Sequence, residues 1–220
     1  MYNDIMFYFE NYHGKKVLRN DLLKDIDAFF TTREGFNFDD LKAERIITPT
    51  QTHSSNVEKV YAKDKYFNVD ALILDKPNIA CVLRFADCSP IILYNPNRKK
   101  AGIVHAGWRG TAEKISKKAV KALGGDPKDI IAVIGPTICI DCYEVSMDVR
   151  DLLLATVKDT SGLFDKMNVD LKGINERQLR EAGVETIDVC PYCTSCNNDL
   201  FYSYRKENGT DQRHYAVLKL

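Results

Sequence analysis

Few residues in this chain can do chemistry. Of the four histidines, His13, His53, His105 and His214, two stand in unusual surroundings. His53 lies in the polar run Thr48-Pro49-Thr50-Gln51-Thr52-His53-Ser54-Ser55-Asn56-Val57, just after the apolar Ile46-Ile47. His105 closes Gly102-Ile103-Val104 and opens Ala106-Gly107-Trp108-Arg109-Gly110, ahead of a helix. Between them Cys88 follows Asp87 in Phe85-Ala86-Asp87-Cys88-Ser89-Pro90. Each emerges where an apolar strand gives way to a loop, a place where a rigid scaffold presents catalytic side chains. Two imidazoles and a thiolate suit a catalytic zinc and leave its fourth position open. Bound zinc lowers the pKa of its water from about 15.7 to about 7. The plainer alternative is two satisfied histidines and a buried cysteine, because ligands this far apart in sequence meet only through a fold.

Arg109 suggests an anion site. Unpaired N–H groups at the start of the following helix, over Gly107 to Thr111, are able to cradle a phosphate beside its guanidinium; a glycine-rich turn with a solvated arginine is the competing reading. Five further cysteines cluster late in the chain. Cys139-Ile140-Asp141-Cys142 and Cys190-Pro191-Tyr192-Cys193-Thr194-Ser195-Cys196 carry the two-residue spacing of zinc knuckles. A four-cysteine zinc site is one alternative; reduced thiols that line or support the main site is the reading taken. Trp108 and Tyr143 are able to stack on a flat ring, or simply to fill core.

The elements that must position these groups follow from periodicity. Residues 18–30 set Leu18, Leu22, Ile26, Phe29 and Phe30 on one helical face, which predicts a helix. Ala71 to Leu74, Ile79 to Phe85, Ile91 to Tyr94, Ala101 to Val104 and Ile130 to Ile134 read as short buried strands, punctuated by Lys76-Pro77-Asn78 and Asn95-Pro96-Asn97. Thr111 to Leu123 reads as a helix ended by Gly124-Gly125. Two amphipathic helices are expected near 146–157 and 171–182, and a final strand at 215–220. Helices and strands mix without strict alternation, which favours α+β over a doubly wound α/β arrangement.

Composition narrows the class. Of 220 residues, 45% are hydrophobic and 28% charged, an ordinary globular balance that excludes disordered and collagen-like chains. With no repeat or Pro/Gly/Ser-rich linker, one domain over 1–220 is expected. Lysine plus arginine equal aspartate plus glutamate at 31 each, so no global pull toward nucleic acid or an anionic membrane arises. The longest apolar runs, such as Ile79 to Leu83, are about five residues, far below the roughly 20 of a membrane span. Seven cysteines, an odd number, without a secretory signal point to reduced thiols and a cytoplasmic location.

Five motifs then occur in order: Gln51-Thr52-His53; Ala86-Asp87-Cys88-Ser89-Pro90; His105-Ala106-Gly107-Trp108-Arg109-Gly110; Ile134-Gly135-Pro136 with Cys142-Tyr143-Glu144-Val145; and Phe201-Tyr202-Ser203-Tyr204-Arg205. From about residue 45 onward the chain resembles the laccase-domain family. That family was first described as multicopper polyphenol oxidases and later as purine nucleoside phosphorylases with adenosine deaminase activity, and it is related to peptidoglycan editing factors. The resemblance implies a four-layer α/β/β/α fold with mixed sheets. It also implies one metal per chain, held by His53, Cys88 and His105. Two departures stand out: Ser54 where the family often has glycine after the histidine, and Gly209-Thr210-Asp211-Gln212-Arg213 where it typically has Gly-Arg.

The resemblance thus implies a zinc enzyme. It would cleave adenosine, inosine, guanosine or methylthioadenosine with phosphate to free base and ribose 1-phosphate. It would also deaminate adenosine by attack of zinc-generated hydroxide on the amino-bearing ring carbon. Asp87 and Glu144 are the candidate proton shuttles, and Arg109 with Arg205 behind it the candidate phosphate ligands. Copper is able to displace zinc in vitro, but two histidines and one cysteine are a poor multi-copper centre. Two alternatives remain open: a hydrolase editing peptidoglycan precursors with Cys88 as catalytic nucleophile and a histidine base, and a non-enzymatic zinc module built on the late cysteines.

Overall fold

The structure, a computed structural model, describes residues 6–61, 63 and 65–220. In chain order its elements begin with strands β1 (Phe7–Tyr12), β2 (Lys15–Asn20), β3 (Asp27–Thr31), β4 (Arg45–Ile47), β5 (Val57–Lys59) and β6 (Ala71–Leu74). There follow β7 (Ile79–Phe85), β8 (Ser89–Asn95), β9 (Lys100–Ala106), helices α1 (Trp108–Ala112) and α2 (Ile115–Leu123), and β10 (Ile131–Ile134). The chain finishes with α3 (Met147–Leu154), β11 (Phe164–Asp165), β12 (Asn168–Val169), α4 (Leu171–Glu181), β13 (Thr186–Val189) and β14 (His214–Lys219).

Two mixed six-stranded sheets carry the fold, in the orders β1-β2-β3-β14-β7-β4 and β13-β10-β8-β9-β6-β5. The strand β4 runs parallel to β7, β5 to β6 and β13 to β10, and the other pairings are antiparallel. The period of two in strand side chains sorts the residues. Leu18, Phe30, Leu83 and Ala216 of the first sheet meet Leu72, Ile92, Ile103 and Val133 of the second in one shared core. On the far side of the second sheet, Ala71, Ile73, Ile91, Leu93 and Val104 receive Ile115, Ala119 and Leu123 of α2 and Leu179 of α4. The outer face of the first sheet, with Val17, Phe29, Val82 and Val217, is covered by Phe36, Phe38 and Leu41 around a single 3₁₀ turn. The α+β class with mixed sheets is therefore as expected.

The helix expected over 18–30 does not form. That stretch is the end of β2, a 3₁₀ turn at Asp21–Leu23 capped by the Asn20 side chain, and β3. Phe29 and Phe30 point into different cores on opposite faces of the sheet, which no helix face permits. The hairpin before it turns through His13 and Gly14, both at positive φ, in the two-residue form that matches strand twist. The helix expected over 111–123 is broken in two: Lys114 at φ 60 redirects the chain between α1 and α2. The break lets α2 lie along the sheet while α1 turns Trp108 and Arg109 elsewhere. The other predicted elements occur, with ends shifted by a few residues.

Topology brings the chemical motifs to one end of the stack. The start of β8 pairs with the end of β9 (Ser89 opposite Ala106), and the start of β6 with the same end (Ala71 opposite Val104). Ala86-Asp87-Cys88 is the crossing from the first sheet to the second, since β7 ends at Phe85 and β8 begins at Ser89. β10 and β14 present their ends here too, through Ile134 opposite Ile91 and His214 opposite Phe85.

Candidate active site

His53, Cys88 and His105 converge at that end. Their ligand atoms all lie within 4.8 Å of one another, and the two imidazole rings meet edge to face at 4.8 Å between centroids. His105 is buried at the end of β9, Cys88 half-buried in the sheet-to-sheet crossing, and His53 exposed. His53 itself sits at φ 61 and Asp87 at φ 86, left-handed conformations that aim these loops inward at a cost in backbone strain.

A fourth residue, which the sequence reasoning missed, organises the three. Asp70 is fully buried just before β6. Its carboxylate accepts from the N–H groups of Thr52 (3.2 Å), His53 (3.1 Å) and Ser54 (2.8 Å), and from the Ser54 hydroxyl (2.7 Å). It also accepts from Nδ1 of His105 at 2.8 Å, which leaves the other ring nitrogen for a ligand. Burial works against its charge, but the hydrogen bonds from His105 and Ser54 outweigh that and lower its pKa to about 2.

Burial would likewise keep the Cys88 thiol protonated, yet the charge and hydrogen bond of His105, with help from His53, bring it down to about 6. Burial opposes charge on His105 too, but the Cys88 thiolate and Asp70 raise it to about 9. A thiolate between two imidazoles, one fixed by a carboxylate, is a donor set that fits zinc and its outer-shell support.

The glycines of the His105-Ala106-Gly107-Trp108-Arg109-Gly110 motif serve close approach. A Cβ on Gly107 would lie 2.9 Å from Cδ2 of His53 and 3.1 Å from Sγ of Cys88, and one on Gly110 would lie 2.8 Å from the Ser54 carbonyl oxygen.

Above these three residues opens a cavity of about 890 Å³, lined by His53, Asp87, Cys88, Arg109, Glu144 and Arg205 among others, within the roughly 300–1,000 Å³ of small-molecule sites. Every site residue expected from sequence except buried His105 lines it. Trp108, Tyr143, Tyr204 and Arg213 complete the polar and aromatic wall. The Arg109 guanidinium stacks on Trp108 at 4.3 Å. Arg205 donates to the Glu144 carbonyl at 2.8 Å and lies over Tyr143. Both oxygens of Asp87 are engaged, one by the Thr194 hydroxyl (2.7 Å) and one by the Arg205 N–H (2.7 Å). Glu144 is exposed to the cavity.

A family profile described as "Multi-copper polyphenol oxidoreductase laccase" matches residues 37–220. The chain belongs to this laccase family. Within it, the chain is 34% identical to the Bacillus subtilis protein named purine nucleoside phosphorylase YlmD, over 76% of this chain and 68% of that one. It is 30% identical to a Haemophilus influenzae protein named purine nucleoside phosphorylase, over 85% and 91%. The laccase-family fold is shared with the crystal structure of the Bacillus licheniformis hypothetical protein YfiH, at a TM-score of 0.88, 28% identity and full coverage of both chains.

Proposed function

We propose that this protein is a zinc-dependent purine nucleoside phosphorylase that also deaminates adenosine. The observation that carries the reading is one cavity joining a His53/Cys88/His105 donor set to two arginines, in a chain whose relatives bear the phosphorylase name. His53, Cys88 and His105 would hold the zinc, which when bound supplies Lewis acidity and acidifies a water at its open position.

The chain's own groups do the rest. Arg109 and Arg205 hold phosphate as a dianion beside the sugar, and the aromatic wall of Trp108 and Tyr143 orients the purine. In phosphorolysis a phosphate oxygen bonds to the sugar carbon, the carbon–nitrogen bond breaks, and the phosphate's proton ends on the departing base. Burial, then the charge of Cys88, pushes the Tyr143 hydroxyl upward, so it stays a donor toward substrate. For deamination Glu144 moves the proton. Asp87, with both oxygens engaged, positions the crossing loop and Arg205. Seven unpaired cysteines among the described residues support a reducing compartment such as the cytoplasm.

Separating the products from adenosine with and without phosphate tests the reading. Adenine should require phosphate and inosine should not. Arg109→Ala should raise the KM for phosphate on the order of tenfold, the loss of one charge-assisted contact; an unchanged value removes Arg109 from the phosphate site. Inactivation by thiol alkylation without loss of metal would instead assign Cys88 as a nucleophile, and one bound zinc with no product from adenosine would favour peptidoglycan precursors as substrate.

A further inference from the structure

We propose that Cys139, Cys142, Cys193 and Cys196 form a second metal centre, a closed four-thiolate zinc site that braces the wall of the cavity. Their four sulfurs all lie within 4.8 Å of one another. Sγ of Cys196 is 3.9 Å from that of Cys139 and 3.5 Å from that of Cys142. Four sulfurs at the usual zinc–sulfur distance of about 2.3 Å define a tetrahedron with edges of about 3.8 Å, so the observed spacings bracket the required one. They are also far longer than the roughly 2.05 Å of a disulfide.

Two further observations agree. Both pairs have the two-residue spacing that lets one turn of chain offer two sulfurs to one ion. The N–H groups of Cys139 and Cys196 both point at Sγ of Cys193, at 3.2 and 3.4 Å, as donors do toward a charged thiolate ligand. Cys190, the fifth cysteine of the segment, is buried in the core between the sheets and takes no part. Four soft sulfurs without an open position select a structural ion rather than a reactive one.

The location gives the site its purpose. Cys139 caps the 3₁₀ turn Ile140–Cys142 and Cys142 is its last residue, and the turn leads directly into Tyr143 and Glu144. The second pair encloses Thr194, whose hydroxyl holds Asp87 beside Cys88. The loops follow β10 and β13, which pair in parallel, and backbone hydrogen bonds from Thr137 N–H to the Tyr192 carbonyl and from Thr194 N–H to the Thr137 carbonyl already join their first residues. A metal across the pairs extends that link to the 3₁₀ turn and reinforces the placement of Tyr143 and Glu144 relative to the Asp87 crossing.

The His53→Ala/His105→Ala variant isolates this centre, because the active-site set is then gone whatever its own chemistry. Purified without added metal, that variant should retain about one zinc per chain. Adding Cys193→Ser/Cys196→Ser should remove it. Should the quadruple variant fail to fold, the double-histidine variant refolded with cobalt still decides: it should show the intense thiolate-to-cobalt absorption of a four-sulfur site. No zinc in the double-histidine variant, iron in its place, no such absorption, or a Cys142–Cys196 disulfide in anaerobically handled protein would each overturn the proposal.

Discussion

Asp70 is the residue on which the geometry of the proposed zinc set depends. It joins the His53 loop to His105 through five hydrogen bonds, so its loss removes orientation without removing a ligand. Asp70→Asn, nearly the same shape, should weaken zinc affinity by about 10- to 100-fold, read by competition with a chromophoric chelator. Unchanged affinity would mean that the loop holds His53 without it. His53, Cys88 and His105, which the fold brings together, were legible as candidates in the sequence because each stands in surroundings odd for its type. Asp70 was not, since an aspartate ahead of a strand is ordinary. Its role comes from backbone N–H groups of residues 52–54 that the parallel pairing of β5 on β6 brings alongside.

Among the elements, buried strands were legible and the N-terminal third was not. Continuous apolar runs bounded by turn residues located β6 to β10 to within a few residues. In β2 and β3, alternation was masked because both faces of the first sheet are covered, so apolar residues stand at both parities and imitate a helical period. The motif Ile134-Gly135-Pro136 also has an element-scale meaning. A Cβ on Gly135 would lie 2.5 to 2.7 Å from three atoms of the Phe30 ring, where the second sheet's strand end rests on the first sheet. Gly135→Ala should therefore cost about 1–3 kcal/mol by overpacking, measured by urea unfolding. A loss below about 0.5 kcal/mol would show that Phe30 moves aside freely.

At the scale of the molecule, both sheets deliver their functional ends to one side, and that side carries a titratable liability. His214 is fully buried at the start of β14 between Phe85 and Phe201, and neither ring nitrogen has a hydrogen-bond partner among the described residues. Burial first, then the charges of Arg213 and Arg33, lower its pKa to about 3. Below pH 6.5 the unfolded chain takes up a proton that the folded one refuses, so stability falls as pH drops from 6.5 toward 3. The slope from this group is about 1.4 kcal/mol per pH unit. His214→Phe should flatten the acid limb of a stability–pH profile, and a profile parallel to that of the parent protein would contradict this assignment. The central claim concerns the other groups at this end, and inosine tests it without interference from deamination. With phosphate, the protein should form hypoxanthine and ribose 1-phosphate in equal amounts, lose that activity on metal removal, regain it with zinc, and lack it in His105→Ala. Hypoxanthine released without phosphate, or phosphorolysis that persists in the stripped protein, would contradict the account.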